Sequence, residues 1–334
     1  MELAIRADGG PDIGFGHLVR TGAIATEALG RGQSVTYLTR TPEAVESACP
    51  SAVDTFVLPE DDTDEVKKTQ GWITNHKPDI VLIDSYDADT SYQAKLRKIA
   101  KTTAVILDDT RYTVCTDCLI NGNVYAPELN YEWRGSEPTW CLGLEYLPVR
   151  EAIRNMAATP EPFRTTPKRA VVTMGGSDIN DITPTVCRAF DDTDVTVDVI
   201  VGPGFDNHEE IQQAITGTGA DFERFDDPDD FATLIGRADL AVSAAGSTIY
   251  ELLAVGTPTI AVPQAANQEP IARALADRDT IECLEPPNID ELPDRIAELL
   301  SNANRRRNLR RRGRNLIDCQ GAKRIYRTLE NICV

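Results

Sequence analysis

A histidine at the start of a predicted helix is the clearest candidate for acid–base chemistry in this sequence. His17 follows a glycine-rich loop that contains Gly14 and Gly16, and Arg20 belongs to the same motif. The N-terminus of a helix disfavours a charged imidazolium, and a neutral imidazole can accept a proton near pH 7. The pattern therefore predicts a general base at His17, although a histidine that only caps the turn fits it equally well.

A second candidate site lies at 243–251, where small residues lead from a predicted strand into a helix. Gly246, Ser247 and Thr248 can offer backbone N–H groups and hydroxyls to a diphosphate. Glu251 can bind the diol of a ribose, or it can close a capping box with Thr248 by bonding to backbone N–H. Local pattern alone favours the cap.

Two further loops follow predicted strands in the same half of the chain. Gly176 and Ser177 belong to a loop that is either a tight turn with an N-cap or a second phosphate-facing loop. Asn267 and Gln268 carry amides that suit the recognition of sugar hydroxyls. Taken alone, this second loop is more typical of an ordinary polar connection.

Acidic side chains stand at the ends of two predicted strands. Asp84 and Asp87 lie close to Tyr86 after one strand, and Asp108 and Asp109 follow the next. Paired acids at strand ends can bind Mg²⁺, but they more often cap the helix or turn that follows. This pattern therefore favours capping over a metal site.

The cysteines and a run of arginines also have ordinary interpretations. Cys115 and Cys118 form an isolated C-x-x-C without the second pair that a structural zinc site needs, so we expect half-buried thiols. Seven arginines lie between Arg305 and Arg314. On an acidic chain, they indicate an exposed helix paired with neighbouring acids rather than a surface for RNA or membrane.

The elements that position these residues alternate between strand and helix. Apolar runs such as Asp79–Asp84 and Leu240–Ser243 are typical of parallel strands covered on both faces. The alternation predicts an α/β fold with two doubly wound, Rossmann-like domains, whose ligands bind beyond the C-terminal strand ends in a cleft. We expect domains at 1–150 and 165–315, a proline-containing linker at 150–168, and a helix at 316–334 that packs back on the N-terminal domain.

Charge and hydropathy exclude some classes of partner. The chain has 334 residues and a formal net charge of −19, which would repel the phosphates of a nucleic acid. So strong an excess of acid favours a salt-loving source. No apolar run approaches the ~20 residues that cross a bilayer, and the first residues lack the apolar core of a secretory signal. We expect a cytoplasmic protein without membrane insertion; its oligomeric state is open.

Several motifs occur in order along nearly the whole chain: RADGGPDIGFGHLVR, IDSYD, MGGSD, SAAGSTIYELLAVGTPTIAVPQAANQ and LIDCQGAKRI. Together they resemble the UDP-2,4-diacetamido-2,4,6-trideoxy-β-L-altropyranose hydrolases of pseudaminic acid biosynthesis and the spore-coat polysaccharide proteins grouped with them. The C-terminal half also resembles the peptidoglycan N-acetylglucosaminyltransferase, an enzyme with the GT-B fold. The motif around His17 is specific to the hydrolase-like group, whereas the AGST helix is shared more widely among UDP-sugar enzymes.

The resemblance implies a GT-B fold, a UDP-sugar as the small-molecule partner, and neither metal nor cofactor. It implies that His17 activates water against the anomeric carbon with inversion, and that Tyr86 and Asn267 are further active-site residues. It also implies that Glu251 binds the ribose. The resemblance further implies these substrate-binding positions: Gly14, Gly16, Arg20, Gly176, Ser177, Gly246, Ser247, Thr248 and Gln268.

The chain departs from the family pattern in places, and two alternatives stay open. Cys319 stands where the pattern has glycine, and the segment 122–142 matches no functional motif and can reshape the sugar pocket. A glycosyltransferase in which His17 activates an acceptor hydroxyl fits the same fold, as does a non-catalytic UDP-sugar-binding module. The sequence has no evident apolar patch for a lipid acceptor, which favours the hydrolase.

Overall fold

The computed structural model describes residues 1–10, 13–284 and 288–333, except for the side chains of residues 62 and 63. Pro11 and Asp12 of the first glycine-rich loop, and residue 334 of the predicted C-terminal helix, lie outside the described residues. The chain divides into two compact units. The first unit is Met1–Glu151 together with the chain from Cys319 onward, and the second unit is Ala152–Asp318.

The first unit is built on a parallel sheet of seven strands within the described residues, in the order β3-β2-β1-β4-β5-β6-β7. Its strands are β1 (Glu2–Ala7), β2 (Ser34–Thr39), β3 (Asp54–Val57), β4 (Ile80–Asp84), β5 (Thr103–Ile106), β6 (Cys118–Asn121) and β7 (Thr139–Leu142). The order of strand addition reverses between β1 and β4. That point of reversal is where doubly wound sheets bind their ligands.

The second unit repeats the plan with six described strands in the order β10-β9-β8-β11-β12-β13. They are β8 (Arg169–Thr173), β9 (Thr196–Val201), β10 (Asp221–Asp226), β11 (Leu240–Ser243), β12 (Thr259–Ala261) and β13 (Glu282–Cys283). All the pairings are parallel, and the order reverses between β8 and β11. The predicted α/β class with two doubly wound sheets is confirmed.

Helices cover both faces of each sheet. Those of the first unit are α1 (Gly16–Leu29), α2 (Pro42–Ala48), α3 (Asp62–His76) and α4 (Thr90–Arg97). The chain continues with α5 (Glu151–Ala158), α6 (Thr183–Arg188), α7 (His208–Thr216), α8 (Phe231–Arg237), α9 (Thr248–Val255), α10 (Glu269–Asp277), α11 (Leu292–Ser301), α12 (Ala303–Leu316) and α13 (Gly321–Cys333). Within the described residues, none of these helices has both the length and the apolar character needed to cross a membrane.

The two faces of the first sheet have separate cores. Leu3 and Ile5 of β1 pack in one buried cluster with Leu18 of α1 and with side chains of α13. Ala4 of the same strand packs in the opposite cluster, together with Trp72 of α3. This is the two-residue alternation of a strand buried on both sides, and it decides on which face each functional side chain of β1 and β4 lies.

The C-terminal helix α13 belongs to the first unit. Its buried side chains join the core on the α1 face, and Arg31 stacks over the ring of Tyr326 with the guanidinium carbon 4.9 Å from the ring centre. A Cβ at Gly321 would overlap the backbone carbonyl of Leu147, so only glycine allows this close approach. The chain returns to the first unit at Cys319 rather than at 316, in the left-handed conformation with φ of 57°.

The segment 150–168, which we expected to be a linker, lies mostly with the second unit. Arg306 is fully buried and donates to the carbonyl oxygens of Leu300 and Thr165, the second at 2.8 Å. Arg314 donates to the carbonyl of Ala157 at 3.0 Å. Arginine side chains of helix α12 therefore bind this segment by hydrogen bonds to its backbone carbonyls.

The arginine-rich helix is only partly what the sequence predicted. Arg305 pairs with Asp279 and Glu282 and Arg312 pairs with Asp279, as expected for an exposed helix among acids. The inward-facing arginines instead bond to backbone carbonyls, a role that depends on long-range packing.

Strands β3, β6, β7 and β13 were not anticipated. Strand β3 lies at the sheet edge and is largely exposed, so its sequence lacks a buried apolar run. Strand β6 begins at Cys118, and β7 arises in the segment that matched no motif. Cys118 and Cys141 are buried as free thiols, with 3.8 Å between their sulfur atoms.

We predict that Leu329→Ala lowers the free energy of unfolding of the first unit by about 2–5 kcal/mol, because a fully buried leucine leaves a cavity. All three tryptophans, at 72, 133 and 140, lie in this unit, so their fluorescence during denaturant titration reports its unfolding. Asn331→Ala, at an exposed position of the same helix, is the control. Its free energy of unfolding should stay within about 0.5 kcal/mol of that of the wild type. Equal denaturation midpoints for the two variants would contradict the packing of α13 against the core of the first unit.

Candidate active site

His17 and Asp84 meet at the reversal point of the first sheet. His17 is the second residue of α1, which follows β1, and Asp84 is the last residue of β4. The side chain of Asp84 is completely buried, and its Oδ1 lies 2.6 Å from Nδ1 of His17. The predicted position of His17 in the first turn of a helix is thus observed, with a carboxylate partner that the sequence did not identify.

This contact determines the tautomer of His17. Nδ1 lies 2.6 Å from Oδ1 of Asp84 and 3.2 Å from Nη2 of Arg20; a carboxylate can only accept a hydrogen bond, so the shorter contact assigns the proton to Nδ1. In the neutral ring, Nε2 is then unprotonated and can accept a proton. Asp84 also stabilises the imidazolium that results, which opposes the effect of the helix N-terminus. The geometry is that of an oriented general base.

The guanidinium of Arg20 donates its hydrogen bonds to two carboxylates of the protein. Its Nε and Nη2 donate to the two carboxylate oxygens of Asp84 at 2.7 and 2.6 Å, and its Nη1 donates to Oδ1 of Asp108 at 2.7 Å. Burial raises the pKa of Asp84, but the charges of Arg20 and then His17, with their hydrogen bonds, outweigh it and hold that pKa at about 2. Arg20 therefore holds the ionised partner of His17 in place; direct substrate binding by Arg20 remains a prediction.

Tyr86 lies beside His17 and faces solvent. The two rings meet edge to face with centroids 4.5 Å apart, and Tyr86 is 46% exposed. The guanidinium of Arg111 lies over the Tyr86 ring at 5.6 Å, and the hydroxyl of Tyr112 donates to the Tyr86 carbonyl at 3.1 Å. The second active-site residue implied by the resemblance is thus in direct contact with the first.

A small cavity opens among these side chains. It is lined by His17, Asp84, Tyr86 and Asp108, among others, and has a volume of about 10 Å³. A single water molecule needs roughly 10–15 Å³. The cavity is therefore at the lower limit of the size that holds one water molecule.

The acids at the strand ends pair with arginines. Asp108 binds Arg20 and accepts from the Asn123 amide, Asp109 binds Arg111, and Asp87 binds Arg40 at 3.0 Å. Among the described residues, no group of histidine, cysteine and acidic side chains is placed to hold a metal ion.

The described part of the glycine-rich loop before α1 is held by backbone hydrogen bonds between Gly10 and Gly14. Gly14 has a φ of 84°, in the region that favours glycine, and its N–H donates to the carbonyl of Gly10 at 2.7 Å. Gly16 is the exposed first residue of α1. Any contact of these glycines with substrate remains a prediction.

In the second unit, the N-terminus of α9 lies at the corresponding reversal point. Ser247 is the N-cap and is exposed, and Thr248 is the first helical residue. The backbone N–H groups of these two residues donate no hydrogen bond to any residue that the structure describes. Open N–H groups at a helix N-terminus form an anion-binding site.

The register of α9 changes the interpretation of Glu251. A capping box joins the N-cap to the third helical residue, which here is Tyr250. Glu251 is the fourth helical residue and is 7% exposed. Thr248 is therefore the first helical residue rather than the N-cap, so Thr248 and Glu251 do not hold the two positions that a capping box joins. A role in ribose binding stays a prediction.

Gln268 is held next to the α9 turn. Its Oε1 accepts from the backbone N–H of Gln264 at 2.8 Å, and its Nε2 lies 3.8 Å from where a Cβ of Gly246 would be. An amide donor is thereby fixed beside the open N–H groups. Asn267 is exposed in the same loop, in the second unit, so the structure places it in a different unit from His17 and Tyr86.

The loop after β8 contains Gly176 and Ser177. The carbonyl of Gly176 accepts from Gly204 at 2.9 Å, and Ser177 is half-buried. Asp178 accepts from the backbone N–H groups of Ile182 and Thr183 at 3.1 and 2.7 Å. The tight turn is therefore observed, with Asp178 supporting the start of α6, and phosphate contact by this loop remains a prediction.

Sequence reasoning missed the residues that surround the histidine. Asp84 and Asp108 were considered only as caps or metal ligands, because their partner Arg20 is distant in sequence. Asn123 and Tyr125 were also not identified, although both bond to Asp108. The Asn123 amide donates to the Asp108 carboxylate at 3.1 Å, and the Tyr125 hydroxyl donates to the backbone carbonyl of Asp108 at 3.0 Å. They lie in the segment that matched no motif and had no recognisable signal.

Comparison with known proteins supports the resemblance. Residues 170–324 match the glycosyltransferase family 28 C-terminal domain. The chain is 24% identical over 344 residues to spore coat polysaccharide biosynthesis protein SpsG of Bacillus subtilis, covering 99% of this chain and 98% of that protein. It is 22% identical over 283 residues to UDP-2,4-diacetamido-2,4,6-trideoxy-beta-L-altropyranose hydrolase of Campylobacter jejuni, covering 83% and 97%.

A third relative shares only part of its length with this chain. Uncharacterized protein MJ1062 of Methanocaldococcus jannaschii is 24% identical over 280 residues, which are 79% of this chain and 56% of that protein. The chain thus spans a little over half of that relative.

Solved glycosyltransferase structures have the same fold. MurG of Acinetobacter baumannii superposes with a TM-score of 0.70 at 12% identity, covering 99% of both chains. The calicheamicin glycosyltransferase CalG4 also reaches 0.70, at 14% identity, covering 99% of this chain and 97% of that one. The chain therefore has an α/β fold of the GT-B type, and its homologues include SpsG and the altropyranose hydrolase, as its motifs predicted.

Proposed function

We propose that this protein hydrolyses a UDP-activated acetamido sugar at its anomeric C–O bond, releasing UDP and the free sugar. The observation that carries the proposal is the hydrogen bond between His17 Nδ1 and Asp84, which leaves Nε2 free to accept a proton, in a histidine that lines a water-sized cavity. The relative from Campylobacter jejuni suggests the diacetamido altropyranose as substrate, and hence a role in making a pseudaminic-type acid.

In this mechanism Nε2 of His17 removes a proton from water as the water oxygen attacks C1. The bond between C1 and the phosphate oxygen breaks, its electron pair leaves with UDP, and the configuration at C1 inverts. Asp84 stabilises the imidazolium as it forms. The N–H groups of Ser247 and Thr248, with the amide of Gln268, receive the charge of the diphosphate. Neither a metal nor a cofactor takes part.

A glycosyltransferase is the second candidate, because the match to glycosyltransferase family 28 covers residues 170–324. In that reaction His17 would deprotonate an acceptor hydroxyl instead of water. Release of UDP in the absence of any acceptor distinguishes the two reactions. A non-catalytic UDP-sugar-binding module would bind UDP and turn over nothing.

We predict that His17→Gln reduces UDP release from the diacetamido altropyranose nucleotide by about 10²–10⁴-fold, the usual contribution of a positioned base. Affinity for UDP should not change, because its proposed ligands belong to the second unit. His76→Gln removes the other histidine of the same unit and should keep full activity. With wild type in ¹⁸O-labelled water, the label should enter the sugar; label in UDP would refute attack at C1.

Asp84→Asn should lower kcat by about 10²–10⁴-fold, because the neutral amide no longer stabilises the imidazolium that forms on His17. Arg20 contacts both oxygens of Asp84, so in either orientation the introduced amide nitrogen faces an Arg20 donor and the pairing that positions His17 is weakened. Asp64→Asn, at an exposed acid of α3 paired with Lys67, is the matched control and should leave kcat unchanged. Tryptophan fluorescence must show that the first unit is folded; a folded Asp84→Asn variant with normal kcat would exclude the orienting role.

Glu251→Gln should weaken UDP binding by about tenfold, the value of one charge-assisted hydrogen bond. Calorimetry with UDP and with 2′,3′-dideoxy-UDP separates ribose binding from helix capping. If Glu251 binds the ribose, the substitution affects UDP and hardly changes the affinity for the dideoxy analogue. An equal loss for both nucleotides would indicate a structural role. Glu210→Gln, on the exposed face of α7, is the control.

A further inference from the structure

The first unit has a second and much larger cavity, on the other face of the sheet from the His17 site. It has a volume of about 460 Å³, within the range of roughly 300–1,000 Å³ of small-molecule sites. Arg6 of β1 lies on the face covered by α3 and α4, whereas Asp84 of β4 belongs to the α1 face, as strand alternation requires. The two cavities share Ser85 in their linings.

The floor of this cavity contains a buried guanidinium with an unused donor. Arg6 is 2% exposed; its Nε donates to Glu65 at 2.8 Å and its Nη1 donates to Asp8 at 2.7 Å. Its Nη2 makes no hydrogen bond to any described residue. Buried donors of this kind are normally paired, and an arginine fork matches the oxygens of a carboxylate or phosphate.

Both acids at the floor are bonded to arginine, and the bonds to Glu65 all end on its Oε1. Glu65 accepts from Arg6, from the Thr69 hydroxyl and from the Tyr92 hydroxyl, the last two both at 3.0 Å. Asp8 accepts from Arg6 and from Arg40, at 3.1 Å to Nε of Arg40. Among the side chains that line the cavity, Arg6, Arg40, Lys67 and Lys95 oppose Glu65, Asp87 and Asp89, with Asp8 bound to Arg6 and Arg40, so the lining carries no net negative charge that would repel an anion.

The walls add further donors and hydroxyl partners. Lys95 is exposed at the rim and forms no ion pair with a described residue, and the side chains of Ser91 and Gln70 make no hydrogen bond within the described part of the chain. Asp89 uses one carboxylate oxygen to accept from the N–H of Tyr92, which leaves the other for a ligand hydroxyl. These walls therefore offer both cationic and hydroxyl-binding groups.

From this arrangement we propose that the cavity binds a small hydroxylated oxyanion, a sugar acid or a sugar phosphate, with its charged end on Arg6 Nη2 and Lys95. The site is separate from the His17 cavity and does not depend on hydrolysis. Ser85 joins the two linings, and Tyr86 follows it in the chain, so the second ligand lies against the loop that carries the candidate active-site tyrosine.

Calorimetric titration of the full chain with three probes tests the proposal. D-gluconate supplies a carboxylate, D-glucose 6-phosphate supplies a phosphate, and D-glucose supplies hydroxyls alone. At least one of the two anions should bind, and bind more tightly than glucose; which of them does so identifies the source of the oxyanion. Equal binding of glucose and both anions, or no binding of either anion at millimolar concentration, would overturn the proposal.

Two lysine variants test whether the anion binds in this cavity. Lys95→Gln should lower the affinity for the anion by about tenfold, because the substitution removes one charge-assisted contact. Lys98→Gln makes the same change of charge three residues further on, at an exposed lysine outside the lining, and should bind as wild type. Equal affinity in the two variants would locate the anion elsewhere and overturn the proposal. Neither lysine belongs to the proposed hydrolytic machinery, so UDP release should persist in both.

Discussion

The first unit is organised around a carboxylate that is completely buried. An ionised group at full burial costs several kcal/mol unless it is paired and hydrogen-bonded. Asp84 meets this demand through Arg20 and His17, which are three residues apart on α1 and therefore lie on one face of that helix. The rotation at which α1 packs on the sheet is thus tied to the ion pair. The position and tautomer of the candidate base follow from the same contact.

Both units place their candidate functional groups where the order of strands reverses. In the first unit, the loop after β1 and the end of β4 bring together a histidine, a carboxylate and an arginine. In the second unit, the loop after β8 and the start of α9 bring together backbone N–H groups and small residues. The same topology therefore supplies different chemistry: charged side chains suit proton transfer, and an open helix terminus suits a diphosphate. This difference supports assigning the two proposed roles to different units.

Much of the fold was predictable because buried parallel strands have continuous apolar sequences. Strands β1, β4 and β11 were recognised for this reason, whereas β3 was missed because it is an exposed edge. The position of His17 in a first turn was also predictable from its glycine-rich loop. Its pairing with Asp84 was not, because it joins residues 67 positions apart and depends on how α1 packs against β4. The N-cap of α9 was placed one residue late for a different reason: Ser247 and Thr248 have nearly equal preference for that position.

The arginines show why net charge alone predicts little about this chain. A formal charge of −19 describes the whole chain, yet only eight of its 34 basic residues are lysines. Arginine has five donors in a rigid plane and can bond to several acceptors while buried. Arg20 joins two carboxylates, Arg306 joins backbone carbonyls of two segments, and Arg6 joins two buried acids. Lysine, with a single ammonium, could not replace any of these contacts. The acidic surface and the arginine-rich interior are therefore separate features, and it is the interior arginines that fix the geometry of both candidate cavities of the first unit.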